Sequence, residues 1–195
     1  MEIAVVDYKG GNVQSVLFAL ERLGASPTLT ADPEVLRKAD KILFPGEGEA
    51  SSAMAALSAT GLDLVLPTLT QPFLGICLGM QLLGRHSEEN DTELLGVLPF
   101  NVLRFVPDIE HKVPHMGWNN LQSMRGPLFE GLDAADHVYF VHSYYAPVGD
   151  YTTAEACHPA PFSAAVQFGN FHGVQFHSEK SGAVGTRILA NFLDL

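Results

Sequence analysis

Cysteine is scarce in this chain: Cys77 and Cys157 are the only two in 195 residues, far apart and in no paired spacing. That excludes a disulfide framework and leads us to expect a reducing, cytosolic compartment. Basic residues are scarce as well, with 11 Lys and Arg against 22 Asp and Glu, for a formal net charge of −11. Such a surface repels phosphates, which argues against nucleic acid or an anionic membrane as partner. Long apolar runs are missing: Ile3 to Val6 is too short for the core of a signal peptide, an acid (Glu2) stands where basic residues would precede one, and no stretch approaches the length of a membrane span.

Several motifs are absent too. Gly10-Gly11 lacks the G-x-G-x-x-G spacing of a dinucleotide loop, and no Walker lysine follows it. Eight histidines invite a metal reading through pairs such as His172 with His177 or His111 with His115. No Cys-x-x-Cys or His-Glu-x-x-His spacing occurs, so neither metal nor cofactor is expected. No repeat, low-complexity tract or linker divides the chain. Residues 1–195 therefore read as one domain, large enough to bury roughly 70% of the surface its unfolded form exposes.

What is present is apolar patterning, with 47% hydrophobic and 17% charged residues. Ile3 to Val6 reads as a buried strand, and Val13, Val16, Leu17, Leu20 and Leu23 recur at helical spacing up to Gly24. Strands near Pro27 to Thr30 and at Lys41 to Phe44 flank a short helix after Asp32-Pro33. Ala50 to Leu57 and Leu62 to Leu69 read as helices, and Phe73 to Ile76 as a further strand. This alternation predicts an α/β fold with a mostly parallel central sheet and helices on both faces. Beyond Leu94 the pattern turns β-rich, with Val102 to Val106, Trp118 to Leu121, Val138 to Val141, Ala164 to Phe168 and Gly173 to Phe176 expected to add antiparallel strands. A helix from about Gly185 to Leu193 closes the chain.

The strand Phe73 to Ile76 runs into Gly75-Ile76-Cys77-Leu78-Gly79 and then a helix-forming stretch, Met80 to Leu83. Flanking glycines permit a sharp turn that lifts a nucleophile from the carboxyl edge of a sheet, and a helix N-terminus favours thiolate over thiol. The far end of the chain offers His177 as a base and Glu179 as a carboxylate to orient it, which completes a set for covalent acyl transfer. Loops after the first and third strands belong at the same edge. The backbone amides of Gly46, Glu47 and Gly48, with that of Leu78, could receive an oxyanion. Cys157, framed by no glycine turn or basic neighbour, reads as structural.

These residues reach a known family. The chain resembles the class I (triad) glutamine amidotransferases in Asp7-Tyr8-Lys9-Gly10-Gly11-Asn12, Pro45-Gly46-Glu47-Gly48, Gly75 to Leu83, Pro114-His115-Met116-Gly117-Trp118-Asn119, Tyr139-Phe140-Val141-His142-Ser143-Tyr144 and His177-Ser178-Glu179-Lys180-Ser181, in family order from end to end. Within the family it is most similar to glutaminase subunits that serve a (β/α)₈-barrel cyclase. The resemblance implies a flavodoxin-like amidotransferase fold and glutamine as substrate. It also implies that Cys77, His177 and Glu179 are catalytic, that Gln81, Glu89, Ser143 and Tyr144 bind glutamine, and that Asn12, Met116, Trp118 and Lys180 contact the cyclase. Two departures stand out, Ser178 in place of a more usual proline and Glu47 in place of an apolar residue. On the residues alone, a cysteine peptidase on the same scaffold and a non-enzymatic binding subunit stay open; glutamine against peptide substrates separates the first, and labelling of Cys77 by a glutamine-like electrophile the second.

Overall fold

The computed structural model describes residues 1–10 and 13–195. The first half alternates as the apolar pattern dictates: β1 (Ile3–Val6), α1 (Val13–Arg22), β2 (Pro27–Thr30), α2 (Pro33–Lys38), β3 (Lys41–Gly46), α3 (Ala50–Thr60), α4 (Leu62–Val65), β4 (Phe73–Cys77) and α5 (Leu78–Gln81). Asp32 caps α2 by accepting the Glu34 amide, with Pro33 opening the helix as its fixed φ favours. The helix expected over Leu62 to Leu69 shortens to the single turn of α4 and a 3₁₀ turn at Leu66–Thr68. Pro67 lacks the N–H that a continued α-helix would need.

The second half contributes β5 (His86–Ser87), β6 (Thr92–Glu93), β7 (Asn101–Arg104), β8 (His115–Asn120), β9 (His137–His142), β10 (Tyr144–Tyr145), β11 (Thr152–Cys157), β12 (Pro161–Phe168), β13 (Phe171–Val174) and α6 (Gly182–Leu193). The central sheet has seven strands in the order β11-β12-β13-β4-β3-β1-β2. From β13 to β2 every pairing is parallel, and β12 and β11 extend the sheet antiparallel at one edge. The expectation that all the late strands join this sheet is corrected. β7 lies in a small sheet ordered β10-β7-β5-β6, and β8 pairs with β9 alone. β11 has no counterpart in the sequence reading, and β13 returns parallel to β4.

Alternation along each strand divides the core between the two faces of the sheet. Ile3, Val5, Leu43, Leu74, Ile76 and Val174 pack under α1 and α6, while Ala4, Val6, Ile42, Phe44 and Phe73 pack with α2, α3, α4 and α5. All of β1, β3 and β4 is buried, as strands covered on both faces must be. Among the described residues no single helix is long and apolar enough to cross a membrane. The consequence for function is positional: the carboxyl ends of β1, β3 and β4 lie side by side.

Candidate active site

β4 delivers Cys77 at the carboxyl edge, where Gly46 at the end of β3 is its partner in register. Cys77 itself turns the chain, at φ 54° and ψ −111°, a conformation that costs a residue bearing Cβ about 1–3 kcal/mol. The flanking glycines serve a different purpose from the turning freedom expected of them, because neither carries the positive φ. A Cβ on Gly79 would stand 1.8 Å from the Phe44 carbonyl oxygen, one on Gly75 2.7 Å from that of Gly79, and one on Gly46 2.7 Å from the Gly79 amide nitrogen. The elbow thus rests directly on the neighbouring backbone. The following helix is a single turn, so its dipole contributes less at the sulfur than a full helix would.

His177 follows β13 and is buried beside Cys77. Its Nδ1 meets Glu179 Oε1 at 2.7 Å, and both side chains are almost completely buried. This bond fixes the ring's orientation and leaves Nε2 free of any hydrogen-bond partner. Burial by itself would lower the imidazole pKa, but the sulfur of Cys77 and the carboxylate of Glu179 outweigh it and hold His177 well above its ordinary value. The imidazole is therefore held protonated. The sulfur, the ring and the acid expected from sequence are therefore brought together from β4 and from the turn at Ser178–Lys180.

A cleft of about 390 Å³ opens over this group, a volume suited to a small molecule. Glu47, Gly48, Leu78, Gln81, Glu89, Ser143, Tyr144 and Lys180 line it with Cys77 and His177. Gly46 lies beneath, paired with Cys77 in the sheet. Gln81 is buried with its amide engaged inside the protein, donating to the Tyr144 carbonyl and to Gln175 Oε1, both at 2.8 Å. Glu89 accepts the Ala50 amide at 2.8 Å through Oε2, and burial pushes its pKa up. His142, also in the wall, is buried and held neutral, down to about 3, with its Nδ1 against the Tyr144 carbonyl.

Glu47 departs most from expectation in its surroundings. Its Oε1 accepts from Lys180 Nζ at 2.7 Å and stands 3.8 Å from His177 Nδ1. Lys180, expected at a partner surface, is thus tied across the cleft mouth to the loop after β3. Below that loop the Tyr8 hydroxyl is buried without a hydrogen bond, its pKa raised by burial and then by the charges of Cys77 and Glu47. Glu47, His177 and Glu179 offer ligand atoms within 4.8 Å of one another, the one such metal-type grouping among the described residues. Those atoms are already bound to Lys180 and to each other.

Met116 and Trp118, expected at a partner surface, point outward from β8, 63% and 58% exposed. Asn12 lies outside the described residues. Sequence reasoning missed Gln175, which is fully buried and donates through Nε2 to the Cys77 sulfur at 3.8 Å. Its signal was available: a polar residue inside the apolar run Gly173 to Phe176, two positions before His177 and so on the same side of an extended chain.

Comparison with known proteins adds three findings. Residues 4–195 match the family "Glutamine amidotransferase class-I". Imidazole glycerol phosphate synthase subunit HisH of Bacteroides thetaiotaomicron is 54% identical over the whole of both chains, and HisH 2 of Legionella pneumophila strain Paris is 50% identical over 99% of this chain and 98% of that one. A crystal structure of a glutamine amidotransferase superposes with a TM-score of 0.75 at 21% identity, covering 98% of this chain and 97% of the other.

Proposed function

Because the chain belongs to the class-I glutamine amidotransferase family, we propose that it hydrolyses glutamine and delivers the ammonia to the cyclase subunit of imidazole glycerol phosphate synthase, in histidine biosynthesis. The observation that supports this reading is that Cys77 and His177 line one cleft, with buried Glu179 bonded to His177 Nδ1 behind it. Cys77, as thiolate, attacks the side-chain carbonyl of glutamine, forming a C–S bond and an oxyanion. The backbone at Gly46, Glu47, Gly48 and Leu78 receives that charge. Imidazolium His177 gives its proton to the departing nitrogen as the C–N bond breaks, which turns a poor leaving group into ammonia. Water then loses a proton to His177 and attacks the thioester, releasing glutamate and restoring the thiolate. Glu179 keeps the ring in the tautomer that both transfers need.

Gln81, Glu89, Ser143 and Tyr144 hold the substrate in this reading, and their common cleft supports it. The cyclase, a (β/α)₈ barrel, docks on Met116, Trp118, Lys180 and Asn12; exposed Trp118, the single tryptophan, suits an interface anchor. Two unpaired cysteines fit a cytosolic setting. The test is glutamine turnover by the chain alone and with the cyclase plus its phosphorylated substrate. We expect weak activity alone, strong stimulation in the complex, and loss of glutamine-dependent product in Cys77→Ala. Equal turnover with and without the cyclase complex would refute the partnership, and cleavage of peptides in place of glutamine would refute the substrate.

A further inference from the structure

Gln175 directly follows β13, and its side chain has no contact with solvent (0% exposed). A carboxamide buried so deeply needs partners for its oxygen and its NH₂ group. Gln81 Nε2 donates to the Tyr144 carbonyl and to Gln175 Oε1, both at 2.8 Å, and Gln175 Nε2 donates to Cys77 Sγ at 3.8 Å. The direction of this chain is fixed from the backbone. The Tyr144 carbonyl can only accept, so Gln81 must turn its NH₂ toward it; Gln175 then has to present its oxygen to that same NH₂. Its own NH₂ is left facing the sulfur. Cys77 therefore meets an N–H at this position and never a lone pair.

We propose that Gln175 is a catalytic residue of this site, a neutral donor that holds the Cys77 sulfur in its anionic, attacking form. The inference rests on the reading of Cys77 as the nucleophile. His177 changes protonation state during each half-reaction, whereas an amide neither gains nor loses a proton in this pH range. The Gln175 donor thus faces the sulfur whichever form the imidazole takes, including when the thioester breaks and the thiolate departs. The same chain ties the sulfur to Gln81 and Tyr144 in the cleft wall, so the residue that orients Gln175 also lines the substrate's space.

The test uses the full chain with Cys157→Ser, which leaves Cys77 as its one thiol. The pH dependence of alkylation by iodoacetamide reads the midpoint for thiolate formation. In Gln175→Met, similar in length and without a donor, the midpoint rises by about one pH unit, the effect of removing one hydrogen bond to the charged form. In Gln175→Glu it rises further, because a carboxylate then faces the sulfur. With the cyclase present, glutamine kcat falls in Gln175→Met while KM changes less. A folded Gln175→Met with an unchanged midpoint overturns the proposal, since a purely structural amide would lower only the melting temperature. Should that variant not fold, Gln81→Met frees the Gln175 amide to turn and gives a smaller rise, and an unchanged midpoint there overturns the proposal equally. If the wild-type chain turns over no glutamine in the complex but the midpoint moves as stated, the glutaminase reading fails and the role of Gln175 at the sulfur stands.

Discussion

Replacing Cys77 by glycine is expected to make the protein more stable than replacing it by alanine, although both changes remove the proposed nucleophile. At φ 54° and ψ −111° the residue sits well away from the ordinary left-handed helical well, in territory that glycine enters freely. The strain on a Cβ there belongs near the upper end of the usual range, about 3 kcal/mol. Alanine keeps that strain. Glycine relieves it but adds about 0.5–1 kcal/mol of unfolded-state entropy and gives up roughly 0.8 kcal/mol of buried methyl. The balance favours glycine by about 1.5 kcal/mol, which for a chain of this length is about 3–6 °C in melting temperature. Thermal and urea unfolding of the two purified variants measure the difference directly. If Cys77→Gly melts at or below Cys77→Ala, the elbow stores no strain at the nucleophile and the reasoning is wrong.

Two further outcomes are expected. His115, His142 and His172 are depressed to about 4, 3 and 4, each chiefly by burial. Their neutral forms stabilise the fold above the unfolded value near 6.5, and that contribution is lost as pH falls toward 4, by up to about 1.4 kcal/mol per pH unit for each histidine. His177, raised instead, acts oppositely: its contribution is full below the unfolded value and is lost on the alkaline side. In urea titrations between pH 6 and 4.5, His172→Leu, remote from the cleft, should weaken the acid dependence by about one such increment, and an unaltered slope would contradict this. For the Glu47–Lys180 pair, whose side chains are each about a third exposed, Glu47→Gln should change stability by only about 0–1 kcal/mol. The same change unpins the loop after β3 and should raise the isolated chain's glutaminase rate several-fold; a rate equal to wild type would show that the pair does not restrain it.

The first half of the fold was legible in the sequence because each of its units declares itself locally. Val13, Val16, Leu17 and Leu20 mark one helix face, and the fully apolar runs at β1 and β4 mark strands covered on both sides. The second half hid its pairings because they join distant segments: β13 finds β4 across roughly half the chain, and β8 closes on β9 away from the central sheet. β11 was missed because the residues it buries, Thr152, Ala154 and Ala156, alternate correctly but are small and weakly apolar. At the site, Cys77, His177 and Glu179 stood out through their chemistry. Gln175 was legible only as a polar residue in an apolar run; its place beside the sulfur follows from the pairing of β13 with β4. Nor could the sequence reveal that Glu47 and Lys180 are bound to each other across 133 positions.

The strand that carries Cys77, the proposed nucleophile, is held from every side. β4 is bonded along its length to parallel neighbours on either side, covered above and below, and rested on bare backbone at Gly75 and Gly79. If the proposed cyclase activates this chain, moving such an anchor is the costliest way to do it. Under the proposed partnership, a response to the cyclase would fall to the rim of the cleft, the stretch around Glu47 and the turn that carries Glu179 and Lys180. In the reading proposed above, activation is a matter of arranging the surroundings of a stationary atom.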